Sequence, residues 1–500
     1  METELKFVID ADGAMRLREL LGLPDHGRRL RSVYFDTPDL DLKSAGFSLR
    51  VREEGEKRVQ GIKQSGNGSL FSRREWETPA AEEGLDFAAI DATPLGARLG
   101  QRRRASLAPA FEVDVQRAKR ELAFEGAQIE VALDEGEVRT VGSRTPIREL
   151  ELELKSGDPA ALFALARTLY VATPTLSFRT KSARGFALAR SDETYAAALA
   201  PPPLKPRQTA AEGFRAIAAT CLEQIAANAE ILREGRNSAA VHQLRVGARR
   251  LRSAITLFKP LMADRARESI VGELRWLARA CDPARDLDVF AEQSFAPIVT
   301  ADASTESLAE FGAALERRRA EAHYRARQTV SSARFRALLL ETAAWIEAGD
   351  WTRDPAYADA RAMKLKTFAR AALDHAYQRV TKRAKSLKAD DPEPRHRLRI
   401  ADKSLRYAVT VLAPVFGAAG KGRVKDFRTA AAEAQDALGA LTDIVSGHAL
   451  CAEIAETEVG DLAIAFAAGY VTGRLSASEP ARLKAARKAV RRLRRVEPFW

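Results

Sequence analysis

At 500 residues, with 46% hydrophobic and 30% charged side chains, the chain has the composition of a globular protein of two or more domains; no apolar run approaches a membrane span, and the charged start is not a signal peptide. Cys221, Cys281 and Cys451 are odd in number and far apart, which argues against a disulfide framework or a zinc site and for a reduced, cytoplasmic setting. The net charge of +12 is uneven: residues 1–200 hold 30 Lys+Arg against 32 Asp+Glu, whereas residues 201–500 hold 50 against 36, so a polyanionic partner is expected of the second part.

The chain starts Met-Glu-Thr-Glu-Leu-Lys, which puts Glu2, Glu4 and Lys6 on one face of an extended strand. A helix is predicted near residues 12–21, a strand over 30–36, and a hairpin of two strands around Glu54-Gly55-Glu56 that carries Arg50 and Arg52 on its charged face and ends near Lys63. Gly66-Asn67-Gly68 is predicted to turn into the strand of Arg73, Glu75 and Glu77, and residues 80–99 read as an Ala-rich helical segment. Strands resume over 111–122 with Arg117 and Lys119, turn at Glu125-Gly126, and run on to Asp134; Asp134-Glu135-Gly136 reads as a hairpin. The fullest alternation follows in 148–155, with Glu149, Glu151 and Glu153 against Leu150, Leu152 and Leu154; a helix over 158–169 and a closing strand over 177–181 complete this part.

Strands with one apolar and one mixed-charge face suggest a barrel whose apolar side packs outward under helices and whose charged side lines an interior. A network of internal salt bridges is the plainer reading, but so many buried ion pairs often break even at best. Glu2-x-Glu4-x-Lys6, Tyr34-Phe35-Asp36-Thr37, Leu49-Arg50-Val51-Arg52, Lys63, Glu75 with Glu77, Arg117, Asp134, the Glu149 to Glu153 run and Lys181 together resemble the CYTH superfamily of triphosphate tunnel metalloenzymes over essentially all of residues 1–200. Gly61 departs from the pattern, standing where many members have a hydroxyl residue. The resemblance implies an α+β domain built on an eight-stranded antiparallel tunnel that hydrolyses a triphosphate with a divalent metal. On it, Lys6, Arg50, Arg52, Lys63, Arg117, Lys119 and Lys181 are expected to hold the triphosphate. Glu2, Glu4, Asp134, Glu149, Glu151 and Glu153 are expected to hold Mg2+ or Mn2+, with Lys6, Arg52 and Glu149 as the catalytic set.

Residues 201–207, Pro-rich, read as a stiff linker, and everything from 208 to 500 reads as helix. In Val241-His242-Gln243-Leu244-Arg245, continuing to Arg249 and Arg252, the residues His242, Arg245, Arg249 and Arg252 form a basic stripe beside the apolar Val241, Leu244, Ala248 and Leu251. The block recurs 154 residues later as His396, Arg399, Lys403 and Arg406, and Arg285-Asp286 finds a counterpart near Thr442-Asp443. This part resembles the CHAD domain, which implies an all-α module of two duplicated helical bundles that binds inorganic polyphosphate along those eight residues. A solvated helix face and nucleic-acid binding are the alternatives; against the latter, aromatic residues are sparse around the blocks and no nucleic-acid-reading motif is present.

The sequence therefore predicts a cytoplasmic, metal-dependent inorganic triphosphatase with a polyphosphate-binding helical domain, association with polyphosphate granules being one option, and no specific nucleic-acid or membrane partner. An organic triphosphatase, a class IV type adenylyl cyclase using the same tunnel, and a non-catalytic polyphosphate-binding scaffold are the competing readings.

Overall fold

The computed structural model describes residues 2–64, 71–80, 84–190, 202–262, 264–301, 306–385, 392–417, 421–458 and 460–500. The chain divides into two compact units, residues 1–197 with 332–349, and residues 198–331 with 350–500.

The first unit is built on strands β1 (Glu2–Val8), β2 (Arg28–Asp36), β3 (Phe47–Glu54), β4 (Lys57–Gln64), β5 (Ser72–Pro79), β6 (Ala108–Phe124), β7 (Ala127–Thr140), β8 (Ser143–Ser156) and β9 (Thr175–Leu176). Their antiparallel order is β5-β4-β3-β2-β6-β7-β8-β1-β9, and β1 also pairs with β5, which closes the sheet on itself. Among the described residues there are nine strands where eight were expected. The free edge of β1 is covered by β5 only at Glu2 and Thr3, and β9 takes up Phe7 and Val8 further along the same edge.

Because directly opposed residues of an antiparallel ladder share a face, the register traces one face around the closed sheet. Lys6 opposes Glu151, Ala132 and then Lys119; Arg117 opposes Asp134 and then Glu149; Arg50 opposes Tyr34 on one side and Gly61, then Glu77, on the other. The opposite face carries Leu5, Phe7, Ile129, Val131, Leu133, Leu150 and Leu152, all buried. Helix α1 (Ala11–Leu20), capped by the Asp10 carboxylate on the Gly13 N–H, lies in this unit, and α2 (Ala160–Thr168) packs on β8.

Three expectations change here. Asp134-Glu135-Gly136 is no hairpin: β7 runs through it, and Gly136 is needed because a Cβ there would meet the Asp114 carbonyl oxygen at 2.1 Å. The working turn is Glu125-Gly126, with φ of 46° and 76°, the double positive φ of a tight hairpin. Residues 177–181 do not form the closing strand; Ala183 N–H bonds to the Thr180 hydroxyl, which starts helix α3 (Lys181–Arg190) instead. Of the expected 80–99 helix, the described residues keep one turn at Phe87–Asp91 and another at Gly96–Arg98, interrupted by Thr93 and Pro94. The Gly66-Asn67-Gly68 turn and Pro201 of the linker lie outside the described residues.

The second unit is helical: α4 (Ala210–Glu234), α5 (Ser238–Leu257), α6 (Arg265–Val289), α7 (Glu306–Ser331), then α9 (Leu365–Lys385), α10 (Pro392–Leu412), α11 (Lys421–Thr457) and α12 (Leu462–Leu493). Helix α8 (Ala333–Ala348), between α7 and α9 in the chain, belongs to the first unit, where it packs on α2 and β9 and its Glu341 holds Arg167 through two bonds of 2.7 and 2.8 Å. Thr209 and Glu212 form a reciprocal capping box at the start of α4, and Phe214, Phe258, Trp351 and Phe368 form an aromatic core cluster.

One helix among the described residues, at Gly422–Thr457, is long and apolar enough by length and composition to cross a membrane, contrary to the expectation from sequence. Its apolarity is spread through alanines, so no single run stands out. Its Leu438, Leu441, Ile444, Cys451 and Ile454 are buried where α11 packs with α10 and α12.

Candidate functional site

The charged face of the closed sheet gathers side chains from β1, β6, β7, β8 and α3 around Glu151. Lys6 Nζ stands 2.6 Å from it, Lys181 Nζ 2.7 Å and Arg117 Nη2 2.6 Å. Arg117 also holds Asp134 bidentately at 2.6 and 2.7 Å, while Lys181 reaches Asp134 and Glu149 at 2.8 Å each. Burial works against every one of these charges, yet the opposite charges outweigh it. The Lys6 and Lys181 ammonium groups are accordingly held above their ordinary pKa, and the Asp134 and Glu151 carboxyls below theirs.

A second group comes from β3, β4 and β5. Arg50 Nη2 lies 3.1 Å from Glu75 and 3.3 Å from Glu77, and Lys63 Nζ lies 2.8 Å from Glu75. Arg52 is different: its closest carboxylate is Glu77 at 3.9 Å, and burial, then Arg50 and Arg117, lower its pKa. The same pairing of influences marks Tyr34, a residue quoted for its motif but not foreseen as part of the site. Burial raises its pKa, but Arg50, Arg52 and Lys181 together bring it below the ordinary phenol value. Alternation on β2 places Tyr34 on the face of Leu30 and Ser32 and could have revealed it.

Of the expected triphosphate ligands, Lys6, Arg50, Arg52, Lys63, Arg117 and Lys181 face this interior, whereas Lys119 is more than half exposed and pairs with Glu130 at 3.2 Å. The interior is not charged throughout. Phe111, Val113, Val115, Val138 and Ile147 continue the same face as an apolar cluster with Tyr34 and Phe186 of α3.

The expected metal ligands do not form a preorganised cage: among the described residues no three His, Cys, Asp or Glu side chains converge on one point. Glu4 is held by Lys6 at 2.9 Å and Glu153 by Lys155 at 2.7 Å, and the buried Asp134, Glu149 and Glu151 are engaged by Lys181 and its neighbours. The side chain of Glu2 lies outside the described residues. Even so, the donor set is all carboxylate, as hard divalent cations prefer. Register sets Glu4, Glu153, Glu130 and Glu121 side by side across β1, β8, β7 and β6. Like charges so placed repel, and both Glu149 oxygens are buried without a completed hydrogen bond. The carboxylates present are thus of the kind such a cation prefers, without three of them converging among the described residues.

In the helical unit, α5 and α10 turn their basic rows toward one cavity of about 1100 Å3. His242, Arg245, Arg249, Arg399 and Lys403 line it; Arg252, His396 and Arg406 do not. Asp282 and Asp286 of α6 take up Arg245, at 2.5 and 3.4 Å. Cations dominate the surroundings of Lys403, with Asp443 the acidic group that also acts on it: burial, then Arg399, Arg249, Arg245 and Arg406, lower its pKa to about 8. Burial, then Arg285, Arg249, Arg245 and Arg250, also hold His242 down at about 4, so it is neutral at pH 7 and offers hydrogen bonds. Arg279 and Arg285 of α6, with Arg317, Arg318 and Arg325 of α7, complete the basic lining and were not foreseen. The Arg317-Arg318-Arg319 run and the seven-residue step from Arg318 to Arg325 are their signal in the sequence.

Residues 1–186 match the family model described as the CYTH domain, and residues 216–452 match the CHAD domain. Over 200 residues the chain is 30% identical to a Haemophilus influenzae protein named inorganic triphosphatase, covering 37% of this chain and 54% of that relative; the chain thus spans about half the length of the curated relative it matches. Among solved structures it resembles the CHAD domain from the plant Ricinus communis, with 29% identity and a TM-score of 0.51 over 59% of this chain and 95% of that one. PptA from Streptomyces chartreusis is 21% identical, with a TM-score of 0.44 over 57% of this chain and 100% of its own.

Proposed function

For a chain that carries a CYTH domain followed by a CHAD domain, we propose that the barrel hydrolyses inorganic triphosphate with Mg2+ or Mn2+ and that the helical unit binds polyphosphate, as two duplicated helical bundles. The observation that carries the first half is the arrangement of Lys6, Arg50, Arg52, Lys63, Arg117 and Lys181 on one interior face.

Guanidinium forks at Arg50, Arg52 and Arg117 suit phosphate oxygens bidentately, and the lysines supply point charge. Arg52 contributes most to attraction, because its charge is poorly balanced until an anion arrives. Glu4 and Glu153 are the proposed metal ligands, each held here by one flexible lysine that an ion could displace. The ion, when bound, neutralises phosphate charge and acidifies a water. Lys6, between Glu4 and Glu151, is placed to orient the carboxylates and to meet charge that develops on the transferred group.

The helical half of the reading rests on Arg245, Arg249, Arg399 and Lys403, cations from two helices gathered at one cavity, where burial and the neighbouring arginines disfavour the charge on Lys403. Phosphate release from a panel of tripolyphosphate, nucleoside triphosphates and thiamine triphosphate, with each metal in turn, tests the proposal. Tripolyphosphate is expected to lead the panel, and absence of release from it under every metal refutes the reading.

A further inference from the structure

We propose that Arg184 of α3 is an additional binding residue for the terminal phosphate of a triphosphate substrate, an inference that rests on the triphosphatase reading above. Arg184 follows Lys181 by three residues, which places both on one face of α3. That face looks into the barrel, since Lys181 reaches Asp134, Glu149 and Glu151.

Arg184 Nε stands 3.1 Å from Glu149 Oε1, in a pair only 16% and 2% exposed. Charge is balanced there, but hydrogen bonding is not: Arg184 Nε and Nη2 are buried and complete no bond, and neither do the two Glu149 oxygens. Open donors on a buried guanidinium cost stability. A phosphate, which offers several oxygens to a planar fork, satisfies them bidentately.

The position along the barrel says which phosphate. On β6 the interior face reads Phe111, Val113 and Val115 before it reaches Arg117, and Phe186, two residues after Arg184, stacks edge-on to Phe111 at 4.9 Å. The interior therefore turns apolar beside α3, where Lys181 and Arg184 stand at the boundary with Arg50 and Arg52 across from them beside Tyr34, so the phosphate held there is the one that reaches deepest toward the apolar end. Gly185 makes this closeness feasible, because a Cβ there would stand 2.1 Å from ring carbons of Phe111. The bland role, an ion pair that only pins α3 to β8, predicts lost stability without lost ligand affinity.

The test uses the full chain with Arg184→Ala and Arg184→Lys, and reads calorimetric affinity for imidotriphosphate without divalent metal, turnover of tripolyphosphate, and thermal midpoint. The Lys variant keeps a cation beside Glu149 but loses the fork. Its midpoint is expected within about 2 °C of the parent, with affinity about tenfold weaker; the Ala variant is expected to lose about 10- to 100-fold and to recover turnover in part when guanidinium is added. Affinity within about twofold of the parent in the Lys variant overturns the proposal, whatever becomes of the Ala variant's fold. Should the parent neither bind nor hydrolyse the triphosphate, the triphosphatase reading fails and this inference with it; a fully active Lys variant beside an active parent removes Arg184 alone.

Discussion

Arg52 combines burial, a single distant carboxylate and two neighbouring guanidinium groups, so an anion gains more from it than from a cation already paired. Arg52→Ala is expected to raise KM and lower kcat together, with kcat/KM for tripolyphosphate down about 10- to 100-fold; unchanged kinetics would remove the residue from the site. Glu4→Gln is nearly isosteric and leaves the fold intact, but it takes a formal charge from the metal-ligand row, and the expected outcome is loss of metal-dependent turnover with an unaltered far-ultraviolet spectrum. Lys403 gives a pH signature. Its pKa in the folded protein, about 8, lies below the ordinary 10.5, so in the free protein the ammonium is largely present at pH 7 and largely lost at pH 9. A bound polyanion among Arg399, Arg249 and Arg245 restores it, so binding takes up a proton above pH 8. Polyphosphate affinity should fall about tenfold between pH 7 and 9 in the parent, and Lys403→Met should flatten that decline, as titration calorimetry at the two pH values would reveal.

Helix α3 is the element on which the barrel site depends and the one hardest to read from sequence. Gly185→Ala must push the helix away from Phe111, and a loss of about 1–3 kcal/mol is expected, together with weaker triphosphate binding because Lys181 and Arg184 move with it; thermal unfolding and KM measure the two effects. Strand alternation made β1, β3 and β8 legible, since Leu150, Leu152 and Leu154 against Glu149, Glu151 and Glu153 leave only one way to face a core. The charged interior followed from the same periodicity. What could not be read was where periodicity is set by close approach rather than by hydrophobicity. Gly136 imitates a turn because the sequence cannot show that the Asp114 carbonyl presses on it, and the segment through Lys181 imitates a strand until Thr180 is recognised as a helix cap. In the helical unit the His-centred blocks located α5 and α10, but His396 and Arg406 fall away from the cavity, since a stripe on a helix does not fix which part of it a neighbour covers.

At the scale of the chain, order in sequence and membership in a unit do not coincide. Helix α8 packs with α2 and β9 in the barrel unit, and β9 pairs with β1 at Phe7 and Val8, beside Lys6. A fragment of residues 1–200 therefore lacks a helix that packs on β9, the neighbour of the strand of Glu4 and Lys6, and its thermal midpoint is expected at least about 5 °C below that of the same fragment fused to residues 332–349; equal midpoints would show that α8 adds nothing to the barrel. The charge division supports a separate test on the intact chain. Residues 201–500 carry 50 Lys+Arg against 36 Asp+Glu, but a diffuse excess attracts any polyanion, DNA included, through counterion release. A cavity that concentrates Arg245, Arg249, Arg399 and Lys403 favours instead a slender, densely charged chain over a stiff duplex too wide to enter. Retention of the full chain on immobilised polyphosphate should persist to higher salt than on duplex DNA of equal charge concentration. Reversing those four charges should abolish the difference and leave tripolyphosphate turnover in place, because none of the four belongs to the barrel unit. Stronger retention on DNA would favour a nucleic-acid partner, and polyphosphate retention that survives the four reversals would move the binding from the cavity to the exposed basic end of α12.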